Sequence, residues 1–144
     1  MLEFIPDVQR LTNIFAQATA PTFFLGAVAG FVSLMSSRLA AITARMQKLN
    51  GIKDDDERRL KLKRDIVRLR RRARLLNGGI ASSLVAGICA TGLLVILFAS
   101  EFFGLRYAYG AGFLFACATF ALGVGLVRFF QETRMGLSEA DEYE

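Results

Sequence analysis

Few side chains in this chain could do chemistry. Cys89 and Cys117 are its two thiols, Asp54 to Glu57 its acidic run, and Arg68, Arg70, Arg71, Arg72 and Arg74 its densest basic run; there is no histidine. Two cysteines without histidine and without metal-ligand spacing make neither a disulfide framework nor a zinc site. Each lies inside a long apolar stretch, where a thiol serves as a small hydrophobe. The acidic run has oxygens for a hard cation but sits among basic side chains that compete for them. There is no nucleophile motif, no glycine-rich phosphate loop and no carboxylate inside an apolar stretch, so the groups expected of an enzyme or of a proton-coupled transporter acting alone are missing. The expectation is a non-enzymatic protein without a cofactor. The arginine run suits anionic head groups, which attract such residues by ~1 kcal/mol per charge. Its plainer reading is charge that sets topology. No aromatic interleaving or recognised fold accompanies it, so no nucleic-acid partner is expected.

The elements that must position these residues follow from hydropathy. Residues 20–37, 78–100 and 107–127 contain no Asp, Glu, Lys or Arg, and each is near the ~20 residues that cross a hydrocarbon core. At 53% hydrophobic with mean hydropathy +0.40, the stretches are apolar on every face, unlike the two-sided helices of a soluble domain. The expected class is an all-α membrane protein with three transmembrane helices and one domain.

Charge sets its orientation. Residues 38–77 hold fourteen Lys or Arg against five acids, whereas residues before Ala20 hold one against two and those from Arg128 two against five. Basic loops stay in the cytoplasm, so 38–77 is expected there, with the N-terminus external and the C-terminus cytoplasmic, in a plasma membrane. The first residues lack a basic region and a small-residue cleavage site, so the first span is expected to be retained. Residues 101–106 read as a short external turn, with Glu101 and Arg106 as an exposed pair of little energetic weight. The acidic tail 128–144 has little to bury and is expected to be disordered.

Helical periodicity organises the rest. Phe4, Val8, Leu11, Phe15 and Ala18 recur at four and three, the pattern of an amphipathic helix over 1–19 lying at the external interface. Pro21 is expected to bend it away from the first span. Past that span, Met35, Leu39, Ile42, Met46 and Leu49 form one heptad-spaced stripe, and Leu62, Ile66, Leu69, Ala73 and Leu76 another. Asn50-Gly51 lies between them, and Asp54 to Asp56 suit the start of the second arm. The expectation is a cytoplasmic antiparallel hairpin. Its arms, Arg38 to Asn50 and Asp56 to Asn77, would rise ~18 Å and ~32 Å, so either the loop folds back or a neighbouring subunit covers the excess of the longer arm.

Small residues repeat along the spans: Thr22, Gly26, Gly30, Ser33 and Ser37 in the first, Gly79, Ser83, Gly87 and Thr91 in the second, and Ala108, Gly112 and Ala116 in the third. Such faces let helices approach closely, and hydroxyls on them are the alternative lining of a water-filled path. Cys89 and Cys117 fall at similar depth and could meet as neighbours.

The stretch Ala20-Pro21-Thr22-Phe23-Phe24-Leu25-Gly26, then Arg38-Leu39 and Arg45, then Arg70-Arg71-Arg72-Ala73-Arg74-Leu75-Leu76-Asn77, resembles the bacterial membrane proteins grouped as domain of unknown function 2721. The resemblance covers roughly residues 5–130, with Ala41 where another arginine is expected. It implies a bacterial inner-membrane protein and brings no activity or ligand. The functional expectation is a homo-oligomeric scaffold or accessory subunit of a larger membrane complex in contact with anionic lipids. A small oligomeric channel is the alternative, and a lipid-binding protein the third reading.

Overall fold

A computed structural model describes residues 8–51, 56–104 and 108–141. They form three helices, α1 Val8–Asn50, α2 Asp56–Phe103 and α3 Ala108–Asp141, and each is long and apolar enough to cross a membrane. Phe4, Asp54, Asp55, Arg106 and most of the turn after Gly51 lie outside the described residues. Asp56 is the first residue of α2. Gly104 follows the last residue of α2 in the left-handed conformation, with φ of 64°, which L side chains rarely adopt.

α1 runs through the buried Pro21 without a break in the helix. Residues 8–19 are therefore its first turns and not a separate element. The missing amide of Pro21 leaves one carbonyl of the preceding turn without its usual donor. In that turn the Thr22 hydroxyl donates to the carbonyl of Ala18 at 2.7 Å.

α2 is the middle of the bundle. It packs extensively against α1 and α3, which meet each other over a much smaller surface. The expected stripes supply the α1–α2 contact: Met35, Ile42, Leu69 and Leu76 are buried in one cluster, with Leu39, Met46, Leu49 and Ala73 packed around it. Leu62 and Ile66 are half-buried. Deeper in the apolar region the buried residues are mostly small, Ala86, Ala90 and Ala118 among them, and helices with such contacts can approach closely. Between α1 and α3 the apolar contacts are aromatic: Phe24 with Phe115, and Phe31 edge-on to Phe129, both at 5.9 Å between centroids.

Two further expectations change. Residues 128–141 continue α3 instead of forming a disordered tail, because Phe129, Glu132, Gly136 and Glu139 recur at helical spacing and find partners on α1 and α2. The overhang of the longer arm also shrinks. Arg38 and Arg72 hold the same carboxylate and so lie at one level. Beyond it α1 rises ~18 Å and α2 ~24 Å, a difference of about one turn.

Candidate functional site: a buried ion cluster at the basic end

Glu132 is fully buried. An ionised carboxylate out of water costs several kcal/mol, about the penalty each ion of a buried pair must recover. Recovery here takes a side chain from each of the other two helices. Arg72 of α2 donates from Nη2 to Glu132 Oε1 at 2.8 Å and from Nε to the same oxygen at 3.0 Å. Arg38 of α1 donates from Nη1 to Oε2 at 2.9 Å. Both oxygens are thus engaged by charge-assisted bonds, the stronger kind.

The surroundings hold the two arginines in place. Arg72 Nη1 donates to Glu139 Oε2 at 3.0 Å, one heptad along α3. Arg38 also donates to the Thr133 hydroxyl at 2.9 Å, and that hydroxyl donates to the Phe129 carbonyl at 3.0 Å. The Arg38 guanidinium lies 5.3 Å from the centre of the Phe129 ring, in cation–π range. A Cβ on Gly136 would stand 3.0 Å from Arg72 Nη2, so glycine there leaves room for the fork. Two arginines and two glutamates make the cluster electrically neutral. Beside it a recess of about 190 Å³ opens between the helices, lined by Arg45, Asp65, Arg68 and Glu139 among others.

The opposite end carries a weaker counterpart. Arg10 of α1 meets Glu101 of α2 at 3.1 Å with both side chains exposed; Glu101 thereby has a partner on α1. From Arg10 to Arg38 along α1, and from Arg72 to Glu101 along α2, the helices rise ~42 and ~44 Å. A bilayer with its head groups is about 40–45 Å thick. The two sets of charged contacts are therefore separated by about the thickness of a bilayer with its head groups.

The structure sorts the residues singled out in the sequence. Arg72 is turned inward onto Glu132 and Glu139; Arg68 lines the recess; Arg70, Arg71 and Arg74 are exposed. Gly79 and Ser83 are buried in the α2–α3 contact, where a Cβ on Gly125 would stand 2.8 Å from Ser83 Oγ and 3.1 Å from the Gly79 carbonyl oxygen. Gly87 faces Val28 and Leu25 of α1. Thr22, Gly26, Gly30, Ser33 and Ser37 are all exposed, and a Cβ on Gly26 or Gly30 would meet nothing within 4 Å. Cys89 and Cys117 are free thiols, half-buried on α2 and α3. No group of His, Cys, Asp or Glu able to hold a metal occurs among the described residues.

Sequence reasoning missed Glu132, the centre of the cluster. The signal was the pair Glu132 and Glu139, one heptad apart on a face with Phe129 and Gly136, within a segment read as a polar tail.

Three apolar helices of spanning length, closed at the basic end by an ion cluster drawn from all three, define a multi-pass α-helical membrane protein. The chain belongs to the family described as Protein of unknown function (DUF2721), whose model matches residues 18–141. The matched region takes in Arg38, Arg72, Glu132 and Glu139, and so extends past the residues that carry the sequence resemblance. No curated protein and no solved structure matches the chain.

Proposed function

We propose that the protein is a non-enzymatic, homo-oligomeric scaffold or accessory subunit of a bacterial inner membrane, with its N-terminus external and its C-terminus cytoplasmic. The basic ends of α1 and α2 then form a helical hairpin in the cytoplasm, available to a larger complex. The observation that carries this reading is the division between the small-residue faces. The one on α2 is used within the bundle, while Thr22, Gly26, Gly30, Ser33 and Ser37 on α1 are left open. A glycine face without a partner inside the chain suits close approach of another copy, and identical chains in one membrane orientation close by cyclic symmetry.

A small channel lined by the same face is the second reading, since Ser33 and Ser37 are exposed on it. Against it, the Thr22 hydroxyl is bonded to its own backbone and glycine has no group to replace hydration. Light scattering of the purified chain in mild detergent tests the oligomer, with Gly26→Leu/Gly30→Leu as the variant. The expected result is a discrete oligomer that the double change dissociates without loss of insertion, because leucine favours the bilayer. A monomer at every concentration would overturn both readings, and ion conductance by the reconstituted oligomer would favour the channel.

A further inference from the structure

The arginines of the basic end divide into two sets. Arg38 and Arg72 face the bundle interior and are neutralised by Glu132 and Glu139. Arg71 and Arg74 of α2 and Arg128 of α3 are exposed, and none of them meets a carboxylate among the described residues. Their level is that of the membrane boundary: Arg74 directly precedes the uncharged stretch of α2, and Arg128 directly follows that of α3.

The second set converges on one face. The Arg128 guanidinium lies against Gly78 of α2, in the space a Cβ there would fill, and its own Cβ is 3.8 Å from the position of one on Gly79. Its side chain thus runs along α2 from Gly79 to Gly78, toward the basic end. Arg74 and Arg71 lie four and seven residues before Gly78, the spacing of neighbours on one helix face. Arg71, Arg74 and the Gly78 position that the Arg128 guanidinium reaches therefore span about 11 Å along one face of α2. Toward the membrane the same face continues, one heptad beyond Gly78, with the exposed Val85, and α3 adds the exposed Val127 beside Arg128.

Guanidinium forks match the paired oxygens of a phosphodiester, and apolar side chains directly on its membrane side suit acyl chains. We propose that Arg71, Arg74 and Arg128 form a site for the phosphate of an anionic phospholipid in the leaflet at the basic end. Gly78 contributes by letting Arg128 cross α2. The site requires neither the oligomer nor a particular orientation of the chain.

Native mass spectrometry of the full chain, delipidated and then given phosphatidylglycerol or phosphatidylcholine in detergent, tests this. The expected result is retention of phosphatidylglycerol at least about tenfold above phosphatidylcholine, abolished in Arg71→Gln/Arg74→Gln/Arg128→Gln. It should persist in Arg45→Gln/Arg70→Gln/Arg134→Gln, which removes equal charge from exposed positions outside the cluster. Should the first triple variant elute as aggregate, Arg74→Gln and Arg128→Gln singly should each lower retention. Equal loss in both triple variants would mean diffuse attraction and overturn the site. Full displacement of the lipid by millimolar inorganic phosphate would mark a free-anion site and overturn the lipid assignment.

Discussion

Arg72 and Glu132 form a two-pronged contact, Nε at 3.0 Å and Nη2 at 2.8 Å from one carboxylate oxygen, with the carboxylate fully buried and the arginine side chain 13% exposed. The contact ties α2 to α3, and Arg38, bound to the other oxygen, adds α1. In a bundle whose first and third helices scarcely touch, one side chain thereby joins all three.

Removing one member of such a pair leaves a buried charge without compensation, at a cost of about 3–5 kcal/mol. Glu132→Gln is expected to lower thermal stability in detergent by an amount of that order, and Arg72→Gln nearly as much. Arg38→Gln should cost less, because Arg38 is 36% exposed and water can replace part of what is lost. Arg10→Gln, at the exposed pair, should change stability by about 1 kcal/mol or less. Thermal unfolding followed by size-exclusion chromatography gives the ranking, and an Arg10→Gln effect as large as that of Glu132→Gln would contradict it.

The α2–α3 contact predicts a difference between glycines. Gly125→Ala places a methyl 2.8 Å from Ser83 Oγ and 3.1 Å from the Gly79 carbonyl, and backbone cannot yield as a flexible side chain can. Overpacking of this kind costs about 1–3 kcal/mol. Gly123→Ala meets open space and should leave stability unchanged or raise it. Melting temperatures of the two variants in one detergent make the comparison.

Leu69 is 3% exposed within the α1–α2 cluster, whereas Lys61 is exposed. Leu69→Asp puts a carboxyl group among apolar side chains, which costs several kcal/mol even once it is protonated. The expected outcome is loss of folded yield or of the oligomer, with Lys61→Asp close to the unaltered chain. The reverse pattern would show that the stripe is misassigned.

Charge asymmetry predicts the orientation, since basic segments stay in the cytoplasm. In a chain with Cys89 and Cys117 replaced by alanine, an impermeant thiol reagent should label Phe102→Cys from outside intact cells. Lys61→Cys should react only after the membrane is opened. Labelling of the opposite pair would invert the topology.

The sequence by itself determined three apolar stretches, the concentration of positive charge between the first two, and the Met35–Ile42 and Leu69–Leu76 stripes. These are local properties: hydropathy over about twenty residues reports the cost of leaving a bilayer, and heptad spacing reports which residues share a helix face. Which face meets which neighbour is not local. The faces of Gly26 and of Gly79 read alike along the chain, yet only the second is buried, because α2 lies between its neighbours and α1 has one main neighbour. Arg72 and Arg74 are two residues apart in one basic run; a rotation of about 200° along the helix turns the first onto Glu132 and leaves the second exposed. The acidic segment after Arg128 looked unable to order itself, and alone it has nothing to bury. Tertiary structure brings Arg38 and Arg72 to it from 94 and 60 residues away in the chain, and that meeting of opposite charges out of water is what continues α3 to Asp141.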